Sequence, residues 1–263
     1  MKKIKQILRS ALNLKRIYTN QVVVSSLQNN VATEFYKDVP SGKVLVLAPH
    51  PDDEIIGCGG ALLKHAKGDD KIKIVYFTDG RLGFPDKFKP TEKDKVELAA
   101  EREQEAKNLS EELKCEQVFL RYEDSKLTLS KNLFGFLRQL ISEFESDIIY
   151  TPSILEPILD HNITSAVLAN ALQKIEKNFQ IFQYELWSPI FANFYLDIDD
   201  VIDQKQKLIE YYKSQLKCRD YVESSRGLAR YRGSIFGKSK FAESYLKTDK
   251  KLFLKLFELA DEI

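Results

Sequence analysis

At 263 residues, 43% hydrophobic and 30% charged, the chain has the length for one sizeable α/β core and the balance of an ordinary soluble protein. A net charge of +1 argues against a nucleic-acid partner, and no apolar run is long enough to cross a bilayer. The cysteines Cys58, Cys115 and Cys218 are widely spaced and form no CxxC pair. That argues against a disulfide framework or a thiolate zinc site, and for a reduced, cytoplasmic protein.

In chain order, charge is uneven from the start. Residues 1–16 carry Lys2, Lys3, Lys5, Arg9, Lys15 and Arg16, and no acid precedes Glu34. Ile4, Ile7, Leu8, Leu12 and Leu14 fall roughly at helical spacing. A basic amphipathic helix packed on the domain edge is expected, with weak contact to an anionic membrane surface as the alternative. The segment lacks the apolar core and cleavage site of a secretory signal. Residues 1–40 therefore read as a basic helical extension, and 41–263 as a single domain.

"KVLVLAP" (43–49) is a short β-branched and leucine run, expected to be a strand buried on both faces. "GCGGALLKHAK" (57–67) follows as a helix whose glycines permit close approach to a sheet. "KIKIVYFTDG" (71–80) reads as a second strand, and 81–95, rich in Gly, Pro, Lys and Asp, as a loop. Helical periodicity over 96–113, 132–144 and 163–177 alternates with strands at 116–120, 147–152 and 180–187. A further strand at 193–199 precedes a helical pattern over 200–217 and a terminal helix over 250–262. This alternation implies βαβ units and a Rossmann-like, mainly parallel sheet flanked by helices.

The chemistry concentrates in "APHPDDE" (48–54). Acids packed so tightly repel unless something positive lies among them. In open α/β sheets, sites form beyond the carboxyl ends of strands. His50, Asp52 and Asp53 occupy that place after the first of these strands, and Asp160 and His161 after the strand at 147–152. His50, Asp53 and His161 make a two-histidine, one-carboxylate set, which suits a catalytic zinc site with an open position. Asp52 is then free to take a proton from a water beside the metal. Glu54 suits the N-terminal dipole of the following helix, and Asp160 suits a partner that orients a ligand histidine. The competing reading makes HPDDE a turn with capping acids and His161 a helix-start residue. His65, inside "LLKHAK", reads as structural.

These stretches resemble the PIG-L (LmbE-like) family of zinc-dependent de-N-acetylases. Its (A/P)HPDDE motif is matched by "APHPDDE", its glycine-led helix by "CGGALLKHA", and its second strand and turn by "VYFTDG". "REQEAKNL", "FLRYEDSKL" and "YTPSILEPILDHNITSAVLANAL" are similar to later family segments. The resemblance implies an LmbE-like fold and hydrolysis of an N-acetyl group from an N-acetylglucosamine-type sugar, whether free, phosphorylated, nucleotide-linked or lipid-linked. Matched residue by residue, it implies zinc at His50, Asp53 and His161, with Asp52 as general base. It further implies that Arg102 helps hold substrate and that Asp124 contacts sugar hydroxyls, although Arg102 also has Glu101 and Glu105 within reach along its helix. The ligand set suits Fe2+ as well as Zn2+, and a homo-oligomer is compatible with the sequence.

One departure matters. The family commonly has H-P-D-H in the second loop, where this chain has Ile158-Leu159-Asp160-His161. The absent histidine is usually assigned to the oxyanion or the leaving amine, and losing such a donor typically costs about 3–4 kcal/mol. Zinc's own Lewis acidity can cover part of that loss, Asp52 can return its proton to the amine, and a loop residue such as Arg81 or Tyr122 can substitute; a non-catalytic metal- or glycan-binding relative is the alternative. A nucleotide-binding Rossmann enzyme is a second rival, but its G-x-G-x-x-G turn is absent.

Overall fold

The computed structural model describes residues 32–261; the basic stretch 1–16 lies outside them. Eight strands form one sheet: β1 (Glu34–Tyr36), β2 (Val44–Ala48), β3 (Ile72–Thr78), β4 (Cys115–Tyr122), β5 (Ile148–Pro152), β6 (Gln180–Tyr184), β7 (Phe194–Asp197) and β8 (Ala242–Thr248). Their order is β1-β7-β8-β6-β5-β2-β3-β4. Every pairing is parallel except those of β8, which runs antiparallel to both β6 and β7.

Helices cover both faces. They are α1 (Asp53–Lys67), α2 (Glu92–Leu113), α3 (Lys131–Phe144), α4 (Leu159–Leu172), α5 (Ile202–Ile209), α6 (Lys213–Leu216), α7 (Tyr221–Ser234) and α8 (Lys250–Asp261). Along β2, Val44, Val46 and Ala48 pack on one face with side chains of α1, α2 and α5. Leu45 and Leu47 point the other way, into side chains of α3, α4 and α8. Because successive residues alternate faces, a strand with helices on both sides needs the unbroken apolar run "VLVLA".

Helix α1 presses close to the sheet at its glycines. A Cβ on Gly57 would lie 2.4 Å from the ring of Tyr184. The Tyr184 hydroxyl donates to the Leu47 carbonyl at 2.7 Å, tying β6 to β2 directly under the helix. A kink at Cys58 (φ −141°) interrupts α1. Beyond it the Gly60 and Ala61 N–H groups donate to Glu243 at 2.6 and 2.8 Å, and Lys205 neutralises that carboxylate at 2.7 Å.

Several elements differ from the sequence expectation. The pattern over 200–217 divides into α5 and α6, because the chain turns at Tyr212 to bury its hydroxyl on Glu54. Helix α4 begins at Leu159 and ends at Leu172, earlier at both ends than 163–177. β1, β8 and α7 were not anticipated; β1 lies inside the stretch 1–40 and pairs with β7 as an edge strand.

From β2 the chain proceeds to β3 on one side, and from β5 to β6 on the other. The two adjacent strands thus diverge at their carboxyl ends, which opens a crevice at the switch point of the sheet. Among the described residues no helix is long and apolar enough to cross a membrane. All three cysteines are free.

Candidate functional site

The loop leaving β2 is held rigidly. Thr78, at the end of β3, donates to the Pro49 carbonyl through both its N–H and its hydroxyl, each at 2.9 Å. Arg102, reaching from α2, donates to the Pro51 carbonyl and, at 3.0 Å, to that of Gly80. Asp52 adopts φ 124°, a conformation L residues rarely take. Such backbone typically costs on the order of 1–3 kcal/mol and persists where the surroundings over-determine it. Here its N–H donates to Glu54 Oε2 at 3.1 Å, and its carboxylate accepts from Arg102 at 2.8 Å.

The strained turn brings side chains from two distant loops together. His50 Nδ1 lies 3.0 Å from Asp53 Oδ2 and 3.3 Å from His161 Nε2, and the last two atoms are 3.4 Å apart. A tetrahedral zinc with bonds of about 2.0–2.1 Å spaces its donors roughly 3.3–3.4 Å apart. The three atoms therefore fit one face of such a site.

The outer nitrogens decide where the lone pairs point. His161 Nδ1 faces Glu156 Oε2 at 3.3 Å, so this nitrogen carries the hydrogen and Nε2 presents its lone pair to the triangle. His50 Nε2 faces Asp160 Oδ2 at 3.4 Å and Asp124 Oδ1 at 3.5 Å, which turns Nδ1 to the same point. Two ring nitrogens and a carboxylate oxygen within 3.4 Å of one another are spaced to hold a cation. Asp160 and Asp124 also approach His50 as a second acidic group. Their oxygens already accept from the Ser125 N–H at 2.7 Å, the Leu82 N–H at 3.2 Å and the Ser125 hydroxyl at 3.0 Å. That pattern orients a ring rather than ligating an ion.

Charge states follow from burial and neighbours. Burial pushes the Asp52 carboxyl up, Arg102 opposes it, and the balance lies at about 7. Burial works against charge on His50, but Asp124, Asp160 and Asp53 outweigh it and raise the ring well above the usual imidazole range. Glu54 is fully buried, which pushes it up to about 8. Both of its oxygens are engaged, one by the Asp52 N–H and the other by the hydroxyls of Tyr76 and Tyr212. It shapes the turn from below.

Above the triangle lies a cavity of about 1000 Å³. It runs from the crevice between β2 and β5 across the ends of β6 and β8, where Glu185 and Glu243 line it. His50, Asp52, Asp53, Arg102, Asp124 and His161 all face it, and so does Ile158. Arg81 and Tyr122 do not line it. Arg81 is bound to Asp79 at 2.6 Å, and Tyr122 stands half-exposed at the end of β4. Neither takes the place that the histidine absent at 158 would fill. Arg102 does not pair along its own helix: Glu105 accepts from Ser214, and Glu101 pairs with Lys217.

Sequence reasoning missed several cavity residues. Trp187, 44% exposed, carries the Arg219 guanidinium 4.9 Å above its ring and meets Tyr221 edge-on at 6.4 Å. Glu156, which fixes His161, was missed as well; the only trace was an acid in the short loop before Asp160.

The profile of the PIG-L family, GlcNAc-PI de-N-acetylase, matches residues 45–172. The matched stretch begins within β2 and ends at the close of α4, so it contains every residue of the donor triangle and the partners that orient it. The chain is 28% identical over 192 residues to a diacetylchitobiose deacetylase of Thermococcus kodakarensis, spanning 66% of this chain and 70% of that one. Among solved structures it is similar to the N,N'-diacetylchitobiose deacetylase from Pyrococcus horikoshii, with a TM-score of 0.71 and 23% identity over 80% of this chain and 85% of that one. It is also similar to GalB, the 4-carboxy-2-hydroxymuconate hydratase from Pseudomonas putida, with a TM-score of 0.69 and 20% identity over 80% and 96%. Likeness at these identities establishes the LmbE-like fold. The PIG-L fold thus carries a hydratase as well as deacetylases, and chemistry has to be argued from the site.

Proposed function

We propose that this protein is a metal-dependent amide hydrolase that removes the N-acetyl group from an N-acetylglucosamine-type sugar or conjugate, releasing acetate. The observation that carries the reading is the convergence of His50 Nδ1, Asp53 Oδ2 and His161 Nε2 beside the carboxylate of Asp52. Two imidazoles and a carboxylate suit Zn2+, and Fe2+ as well. A zinc ion held there supplies Lewis acidity and lowers the pKa of a water to about 7.

The chain's own residues do the rest. Asp52, poised at about 7 and held by Arg102, is matched to accept a proton from water at neutral pH and return it to the departing amine. Asp160 and Asp124 hold the His50 ring, and Glu156 that of His161. The cavity beyond has room for a sugar with a further substituent.

Three arginines of α7 are already engaged. Arg226 pairs with Asp203, Arg230 donates to the Lys240 carbonyl, and Arg232 pairs with Glu185. Three unpaired cysteines suit a reducing cytoplasm.

The decisive experiment measures acetate release from diacetylchitobiose and related N-acetylglucosamine conjugates after zinc loading. The unaltered protein should turn over, and Asp52→Asn should be slower by about 10²–10⁴-fold, the usual worth of a general base. Ile158 favours a second reading, a metal- or glycan-binding relative without turnover, because it places an apolar side chain in the cavity wall. Equal inertness of both proteins with zinc bound would decide for that reading.

A further inference from the structure

Glu156 serves two structures at once. Its side chain is fully buried, and every group around it is a donor. Oε1 accepts the N–H groups of Leu186, Trp187 and Ser188 at 3.1, 3.1 and 3.2 Å; Oε2 accepts the Trp187 N–H at 3.3 Å and faces His161 Nδ1 at 3.3 Å. Successive backbone N–H groups folded around one carboxylate form a nest, an arrangement that a neutral side chain cannot match. The middle residue of that nest is Trp187, whose ring lines the cavity with Arg219 and Tyr221.

We infer that Glu156 is a positioning residue that couples the metal-binding histidine His161 to the loop 186–188, so that one carboxylate sets both the ligand's lone pair and the aromatic wall facing the substrate. This rests on the metal-site reading above. The physical step is the tautomer. Glu156 demands a hydrogen on Nδ1 and thereby leaves Nε2 free to ligate. A glutamine that keeps its carbonyl in the nest presents an amide N–H to Nδ1. The ring hydrogen then moves to Nε2, the atom that lies 3.3–3.4 Å from His50 and Asp53.

The test uses zinc itself as probe and Trp187, the chain's single tryptophan, as reporter. In the unaltered protein, titrated against a chelating indicator, zinc should bind and change Trp187 emission. Glu156→Gln should bind zinc about 10–100-fold more weakly, the usual effect of removing such a partner. Even at saturating zinc its Trp187 emission should no longer respond, although it melts cooperatively. The coupling is overturned if Glu156→Gln keeps the unaltered affinity or the unaltered Trp187 response. Should that variant not fold, amide hydrogen exchange on the unaltered protein decides. Zinc should slow exchange across 186–188 relative to chelator-stripped protein, and unchanged exchange overturns the coupling. Absence of zinc binding by the unaltered protein would instead bring down the metal reading, and this inference with it.

Discussion

Arg102 and Asp52 come from α2 and from the loop after β2, and they meet at 2.8 Å beneath the cavity, both almost fully buried. The same guanidinium holds the carbonyls of Pro51 and Gly80. It therefore fixes the strained Asp52 backbone and the β3 turn as well as the carboxylate.

Removing it should be felt twice. Truncating one partner of a buried ion pair typically costs about 3–5 kcal/mol, because the other charge stays behind uncompensated. Arg102→Ala should lose stability on that order in urea unfolding. Its acetate release should fall by about 10² or more, as expected when a catalytic group shifts by an ångström. Arg102→Lys should recover little of either, since an ammonium cannot replace a planar fork with three acceptors around it. Recovery by lysine would show that charge alone matters here.

Much of this arrangement was legible in the sequence, for a physical reason. A strand buried on both faces must be continuously apolar, so "VLVLA" announces itself, and the polar cluster after it can only lie at the strand's carboxyl end. β8 was hidden for the opposite reason. Its sequence "AESYLKT" is almost wholly buried, yet Glu243 pairs with Lys205 and Ser244 donates to Glu185. Buried polar groups satisfied by partners remote in sequence leave no hydrophobic run to read. Helix α7 was hidden likewise, its buried positions being Ser225, Ala229, Arg232 and Gly233. Glu156 shows the limit for sites. Its meaning depends on three N–H groups thirty residues downstream, which no local pattern records.

The pair Lys205–Glu243 offers a cleaner test of what buried charge does in this fold. Lys205 donates to Glu243 at 2.7 Å and to the Ile56 carbonyl at 2.9 Å. Glu243 in turn accepts the N–H groups freed by the kink in α1. Lys205→Met alone should cost about 3–5 kcal/mol, since it strands a buried carboxylate. Adding Glu243→Gln should restore part of that loss, because the side chain then bears no charge and its amide oxygen still accepts the Gly60 N–H, although the Ala61 N–H loses its acceptor. A double-mutant cycle by chemical denaturation measures the coupling; additive losses would contradict it.

His65 supplies a pH dependence away from the candidate centre. Its ring is buried in α1, with Nδ1 2.7 Å from Asp70 and Nε2 3.0 Å from the Tyr150 hydroxyl. Burial lowers its pKa below the ordinary 6.5, and Asp70 only partly opposes this. The folded state therefore binds the proton less readily than the unfolded chain does. Stability from this residue is fully present above pH 6.5 and declines as pH falls below it. For one proton the slope cannot exceed about 1.4 kcal/mol per pH unit. His65→Gln should be less stable at pH 7.5 and show a shallower decline between pH 6.5 and 5 in denaturant titrations. An unchanged slope would mean that another group carries the acid sensitivity.

Ile158 is the residue where this chain can be asked to gain rather than lose. It stands at the N-cap of α4, makes no capping hydrogen bond, and is 36% exposed in the cavity wall three residues before His161. Its side chain has no group to donate to an oxyanion. Because the position is half-open and its backbone extended, a histidine fits without disturbing the core behind it. Ile158→His should raise kcat for acetate release by up to about 10²-fold, the lower end of what one oxyanion donor is worth, with zinc content unchanged. The gain should fall on kcat rather than KM, since a donor aimed at developing charge binds the transition state more than the substrate. A flat or lower kcat with zinc retained would mean that the donor is already supplied from elsewhere in the cavity. Tyr221, which lines the same cavity and whose hydroxyl burial keeps protonated, is then the residue to replace next.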